Sequence, residues 1–454
     1  MRKFCWMLIL GVFTLPSFGQ VVDGFTLERP GDPYKKPEGG FGISGYVQRG
    51  RFRSIQVNTT ANGLNIVGDA ANEPSICVDP NRPAVMAIGW RQFDNIASNF
   101  RQAGYAYSNT YGFKWTFPGV FTPGVFRSDP VLESDTFGNF YYNSLQQSFI
   151  CDIFKSTDGG VNWTGPTSAF GGDKAWMTID RTNSTGSNFI YCSWSTATGN
   201  QIFTRSTNGG TSWLTPIPIP NNPVFGTLDV GPNGEVYVVG INSPSFSNGT
   251  FVFSRSSNAK NSALTPTFDL TRIINMGGNM TGGISPNPVG LLGQCWVAVD
   301  RSGGPRNGWI YMLCSVDPPG ADPMDVHMIR STDGGNTWSS PIRVNDVQAG
   351  FQWFGTMSVA PNGRIDVVWL DTRTNPLGNF SELYTTYSVD GGNTWRTSVP
   401  AGPLFNHTLG YPNQNKMGDY FDMVSDNEGA DLAYAATYNG EQDVYYLRLG
   451  LRLR

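Results

Sequence analysis

The sequence predicts an all-β fold, a seven-bladed β-propeller, on three observations. An octapeptide turn recurs, a paired-strand pattern recurs in antiphase with it, and a spare strand near the N-terminus completes the last unit. The octapeptide S-x-[DN]-x-G-x-x-W stands at 156–163 (STDGGVNW), 206–213 (STNGGTSW), 331–338 (STDGGNTW) and 388–395 (SVDGGNTW). Its Asp or Asn bonds to its own turn, its Gly supplies positive φ, and its Trp covers the turn. Weaker copies at 108–115 (SNTYGFKW) and 256–263 (SSNAKNSA) bring the starts to 108, 156, 206 and 256, a spacing of 48 to 50 residues. That spacing suits a propeller blade.

The antiphase pattern is an apolar stretch, a Gly- or Pro-containing turn, and a second apolar stretch. It begins at Glu73, Asp129, Asp173, Gly226, Gln294, Phe354 and Asp419. Each copy reads as two short antiparallel strands, A and B, rich in Val, Ile, Tyr and Trp between turn signals. A third strand, C (GYAYS, DIFKS, QIFTRS, HMIRS, YTTYS), leads into an octapeptide, and a fourth, D, follows it. Seven such units make the ring; six blades is the alternative count. The last unit has A, B (432–437) and C (443–451) but no D. The strand at 52–58 (FRSIQVN) supplies it and closes the ring without a free edge.

Composition agrees. Charged residues are 15% of the chain, against roughly 25% in ordinary domains, while 55 Gly and 13% aromatics suit short strands and tight turns. Residues 1–19 read as a signal peptide, with a basic start, an apolar run too short for a bilayer, and Ser17 and Gly19 before the cut. A secreted or periplasmic location is expected. Residues 20–50 form a Gly/Pro-rich leader, and 51–454 a single propeller domain. No other stretch is long and apolar enough to span a membrane. A net charge of −4 without a basic stripe disfavours nucleic acid as a partner. Five cysteines follow the signal peptide, and Cys295 and Cys314 face one another across the fifth hairpin, as a disulfide or as buried thiols. Neither metal-ligand spacing nor a Cys-His nucleophile pattern occurs, so no metal or cofactor is expected. Oligomeric state stays open.

The octapeptides resemble the Asp-box, or bacterial neuraminidase, repeat, and residues 50–454 are similar to the sialidase-like propeller superfamily. The resemblance implies octapeptide turns on the face away from the active site. It implies an active face carrying the starts of A strands and the ends of B strands. Those positions hold Glu73, Asp129, Asp173, Lys174, Gln294, Trp296, Asp419 and Tyr420, then Arg91, Asp94, Trp194, Asp317, Asp371 and Arg373. Asp94, Asp129, Asp173 and Asp371 are the catalytic candidates; Arg91, Arg373, Lys174, Asp419, Tyr420 and Glu73 are the substrate-binding ones. Aromatic faces stack on sugar rings, Arg forks hold carboxylates, and paired carboxylates act as acid and base or nucleophile. The implied partner is a glycan or polysaccharide, acidic where the arginines take part.

Structural roles compete with each of these. A-start carboxylates can anchor neighbouring blades by accepting N–H groups, Asp371 can pair with Arg373, and Trp176 and Trp296 can pack between blades. The chain also departs from true sialidases, with no R-I-P motif in the first blade and no third, well-placed late Arg, so strict exo-sialidase activity is not expected. His327 precedes an octapeptide and reads as structural. His407 (LFNHTLGYPNQN) lies in the long connection to the seventh A strand, as a solvated loop residue or within reach of the mouth. Three readings follow: an exported glycoside hydrolase acting on glycans, a polysaccharide lyase using His407 and Tyr420, and a non-catalytic glycan- or protein-binding propeller.

Overall fold

The computed structural model describes residues 45–195, 199–242, 249–375 and 378–450, and a separate strand pairing at 21–22 with 25–26. The described residues contain no helix long and apolar enough to cross a membrane. They form seven antiparallel sheets, each ordered A-B-C-D. The first runs Ala70–Val78, Met86–Phe93, Gln102–Ser108 and Thr116–Val120. A strands of successive blades pack on one another, and the seventh packs on the first, so a closed ring of A strands surrounds an axial channel. The expected seven-bladed propeller is the fold.

The seventh blade takes A, B and C from Asp422–Asp426, Gly429–Ala436 and Asp443–Gly450, and its outer strand from Phe52–Gln56. Tyr445 pairs with Gln56 and Leu447 with Ser54. Val57 N donates to Val444 O (2.8 Å), and Asn58 Nδ2 to Asp443 Oδ1 (2.6 Å). The end of the leader adds one thing the sequence did not suggest. Tyr46–Arg49 folds back on Phe52–Gln56 as a fifth strand, turning at Gly50, whose φ of 57° suits a two-residue hairpin.

The octapeptides share one set of bonds. At 156–163, Gly160 N donates to Ser156 Oγ (2.9 Å), Asn162 N to Asp158 Oδ1 (2.9 Å) and Trp163 Nε1 to Gly160 O (3.0 Å). The same three recur at 206–213 and 331–338, and the first two at 388–395. In the first blade Thr110 stands in for the Asp and accepts Lys114 N at 2.9 Å. Ser156→Ala leaves the buried Gly160 N–H without its acceptor, so a loss of about 1–2 kcal/mol is expected, read from the urea midpoint.

Blades share no ladder beyond isolated bridges such as Gly226–Cys295, so most N–H groups of the inner strands need acceptors elsewhere. Every junction supplies one from a side chain. Leu132 N donates to Ser75 Oγ (2.8 Å), Lys174 N to Asp129 Oδ2 (2.8 Å), Phe225 N to Ser195 Oγ (3.1 Å) and Val297 N to Thr227 Oγ1 (3.0 Å). The circuit continues with Gly355 N to Ser315 Oγ (3.0 Å), Ser425 N to Ser358 Oγ (2.9 Å) and Ile76 N to Asp422 Oδ2 (3.1 Å). Asp129 therefore does hold the next blade.

The A strands also start alike. Glu73 (φ 49°), Asp129 (46°), Lys174 (53°), Phe225 (57°) and Phe354 (56°) are left-handed, and Gly418 (93°) stands at the start of the seventh. Strand register slips at these points, between Asn72 and Ser75 and between Trp353 and Thr356. Such bulges cost backbone energy and re-aim side chains. Three consecutive blades thereby place Glu73, Asp129 and Lys174 at one end of the channel. Cys77, Cys151, Cys192, Cys295 and Cys314 are all buried and unbonded, so the Cys295–Cys314 pairing is not made.

Candidate functional site

At that end, Lys174 Nζ lies 2.6 Å from Asp419 Oδ2, 3.6 Å from Asp173 Oδ1 and 3.8 Å from Asp129 Oδ1. Lys416 Nζ is 2.6 Å from the same Asp419 oxygen and 3.4 Å from Glu73, which also meets Arg91 at 3.1 Å. Asp419 Oδ1 accepts Leu291 N at 2.8 Å. The network joins blades one, two, three and seven across the axis, and no side chain in it is more than 7% exposed. Tyr420 lies under it, its Oη donating to Pro130 O (2.9 Å) and its ring meeting Trp176 edge-on at 5.2 Å. Trp176 in turn meets Trp296 at 5.1 Å. Glu73, Arg91, Asp129, Asp173, Lys174, Asp419 and Tyr420 thus converge, and they fill the channel.

Lys416 was not anticipated. It belongs to the connection before the seventh A strand, which crosses this mouth; Gln442 Nε2 donates to Lys416 O (2.9 Å) and Met417 N to Asn287 Oδ1 (2.9 Å). No local pattern marks a loop lysine as an axial ion-pair partner.

Burial dominates the electrostatics. It raises Glu73 to about 7 and Asp173 to about 6, against the pull of Arg91 and Lys174 respectively. Burial alone would raise Asp129 and Asp419 too, but Lys174 leads the charges that outweigh it and hold Asp129 near 2 and Asp419 well below the ordinary range. Glu73 and Asp173 bind protons more tightly folded than unfolded. Their contribution to stability is complete below their ordinary values of 4.5 and 3.8 and is lost as pH climbs through about 6 and 7. Asp129 and Asp419 contribute above 3.8, and that share is lost as pH falls toward about 2. Urea midpoints should therefore peak near about pH 5 and fall by pH 8, with Glu73→Gln flattening the alkaline side.

The remaining candidates stand apart. Arg373 holds Asp371 at 2.7 Å and Asp346 at 2.8 Å and lies 3.9 Å over Tyr384, while Trp369 Nε1 donates to Asp371 Oδ2 at 2.7 Å. The two residues pair with each other inside blade six. Asp94 accepts Gln102 Nε2 at 2.7 Å beside its own strand. His407 is neither solvated nor at the mouth. The connection pairs back through Phe405–Asn406 onto Phe380–Ser381, which buries His407 completely, with Nδ1 3.0 Å from Ser381 Oγ and its ring against Trp353. Burial lowers its pKa to about 4. His327 Nδ1 is tied to Met276 O at 2.8 Å.

Beyond Trp176 and Trp296 the channel widens into a cavity of about 380 Å³, whose lining reaches the A–B turn residues Pro80, Pro83 and Pro361. A and C strands run in the same direction, so these turns share a face with the octapeptides. The open end of the channel is that face, opposite to the one the resemblance implies. Glu133, Asp229 and Asp422 line it with Arg181 and Arg301. Arg301 is 2.7 Å from Asp229; Arg181 stays 3.7 Å from Glu133, whose side chain is 20% exposed. Burial pushes Glu133 up to about 7, against the pull of Arg181. Burial likewise raises Asp422 to about 6, although Ser75 Oγ donates to it at 2.6 Å. Glu133 comes four residues after Asp129, so its inward aim is legible only once the Asp129 bulge is known.

No family model matches the chain, and no curated protein does. Among solved structures it is similar to the Niastella koreensis GH74 enzyme, at 15% identity over 92% of this chain and 74% of that one, with a TM-score of 0.43. It is similar to the phage phi92 endosialidase, at 11% identity over 92% of this chain and 70% of that one (TM-score 0.44). It is equally similar to YCF48 bound to D1 peptide, at 10% identity over 90% and 98% (TM-score 0.47). Likeness of this degree carries no argument about activity, and the fold rests on the strand pairing.

Chemically the two ends differ. The sealed end is a buried network of opposite charges 2.6 to 3.8 Å apart. The open end offers two indoles, two carboxyl groups with raised proton affinity, and room within the roughly 300–1,000 Å³ of ligand pockets. Among the described residues no three His, Cys, Asp or Glu side chains are grouped to hold a metal ion.

Proposed function

We propose that this chain is an exported carbohydrate-active propeller, a glycoside hydrolase that admits its sugar through the octapeptide face. One observation carries the choice of end: the A-start mouth is filled by ion pairs, while the other holds a cavity with Trp176, Trp296 and six carboxyl groups in its wall, Glu133, Asp229 and Asp422 among them. Indole rings pack on pyranose faces, and Glu133, Asp229 and Asp422 are the carboxyl groups available to act as acid and as base or nucleophile.

The test is a product screen of the chain from Gln20 onward against neutral, amino and acidic glycans, with Glu133→Gln alongside. Released sugar that falls at least about a hundredfold in Glu133→Gln, in a variant that keeps its fold, is the expected result. Turnover surviving in Glu133→Gln but lost in Asp173→Asn moves the chemistry to the sealed end and its candidates Asp129, Asp173 and Lys174. A second reading, a glycan-binding propeller without turnover, is favoured by the tight pairing of Asp129, Asp371 and Asp419. Binding without product in every arm selects it.

A further inference from the structure

The carboxylates of the cavity wall are unequally neutralised. Asp79, Glu133, Asp229, Asp422, Asp426 and Asp431 line it, against Arg181 and Arg301. Arg82, from beside the cavity, takes Asp79 at 2.8 Å; Arg448 takes Asp426 at 2.7 Å and Asp431 at 3.0 Å; Arg301 takes Asp229 at 2.7 Å. That leaves Asp422 without a cation among the described residues and Glu133 with only a long pairing. Asp422 is held by three neutral donors, Ser75 Oγ, Ile76 N and Met423 N, and has no ion pair among the described residues. Glu133 has Arg181 only at 3.7 Å, and that guanidinium also donates to Ser134 Oγ at 3.2 Å. Both groups lie in one wall with Trp176 and Trp296, whose indole faces attract cations.

We propose that the sugar this cavity takes carries a free amino group, its ammonium seated between Glu133, Asp422 and the two tryptophans. The inference rests on the carbohydrate reading above and narrows it to de-N-acetylated amino sugars. An acidic sugar brings its charge to a wall already rich in carboxylates. An acetylated one presents an amide that leaves Glu133 and Asp422 without a counter-charge. The raised proton affinities of both carboxyl groups have the same origin, and a bound ammonium would relieve them.

Calorimetry of the full chain with a glucosamine tetramer, an N-acetylglucosamine tetramer and a neutral glucan tetramer tests this, with n-butylamine as a sugar-free cation. The glucosamine tetramer should bind at least about tenfold more tightly than either other oligosaccharide, and more weakly as salt is raised. Glu133→Gln should reduce that preference to within about threefold; Glu133 is partly exposed, its pairing with Arg181 of the next blade is long at 3.7 Å and Gln keeps its volume, and an unchanged near-ultraviolet circular dichroism spectrum checks that the variant retains the fold. Equal or tighter binding of the acetylated or neutral tetramer, or a preference that survives Glu133→Gln, overturns the inference while leaving the carbohydrate reading in place. Binding of n-butylamine with no oligosaccharide bound removes the carbohydrate reading and keeps the cation preference. Silence from every ligand removes both.

Discussion

Lys174→Met is expected to destabilise the propeller by about 3–5 kcal/mol, enough to abolish folding at moderate temperature. The substitution is close in volume, so cavity formation is not the cause. It leaves Asp129, Asp173 and Asp419 in a sealed site without the cation nearest to all three; Lys416 still reaches Asp419, and buried Arg101 still acts on the three carboxylates from farther off. A buried carboxylate that loses its nearest cation must take up a proton or draw in water, and either costs more than the ion pair contributed. Urea unfolding followed by near-ultraviolet circular dichroism measures the loss. Lys174→Met combined with Asp419→Leu should recover part of it, because removing both partners is far cheaper than removing one. A loss under about 1 kcal/mol for Lys174→Met means that water already reaches the mouth.

The sequence made the ring legible because its evidence is local and repeated. Ser156, Asp158, Gly160 and Trp163 form their turn from within eight residues, and Phe52–Gln56 announces itself as a strand without a partner in its own unit. The convergence of Glu73, Asp129, Lys174 and Asp419 was legible too, since their places at the A-strand starts follow from the repeat. Whether that convergence is open or filled was not. It depends on Lys416, which lies in a connection of irregular structure and reaches the axis only through tertiary contacts to Asn287 and Gln442. Cavity residues such as Glu133 and Asp422 were hidden for another reason. Their inward aim is set by bulges at Asp129 and its equivalents, and a one-residue slip exchanges the two faces of a strand.

Deleting residues through Asn58 should have the second large effect, loss of cooperative folding rather than a shifted midpoint. The deletion uncovers the full edge of Asp443–Gly450 and removes Ser54 Oγ, to which Tyr434 Oη donates at 2.5 Å, and Asn58, which holds both Asp443 and Val444 N. An exposed edge strand of this length is an aggregation template. Truncation only as far as Ile43 keeps the closing hairpin and should leave the unfolding transition unchanged. A peptide spanning 45–60, added to the longer deletion, should restore near-ultraviolet ellipticity. A fully folded and monomeric protein without residues 1–58 refutes closure by this strand.

The filled mouth has one more consequence. With Trp176, Trp296 and Tyr420 across the axis and the Lys174–Asp419 pair behind them, the described residues close the channel at that end. A long chain cannot be threaded through it and read from the middle. Whatever the cavity accepts must enter tip first, as the last unit of a chain or as a side branch, and must back out the way it came before the next can follow.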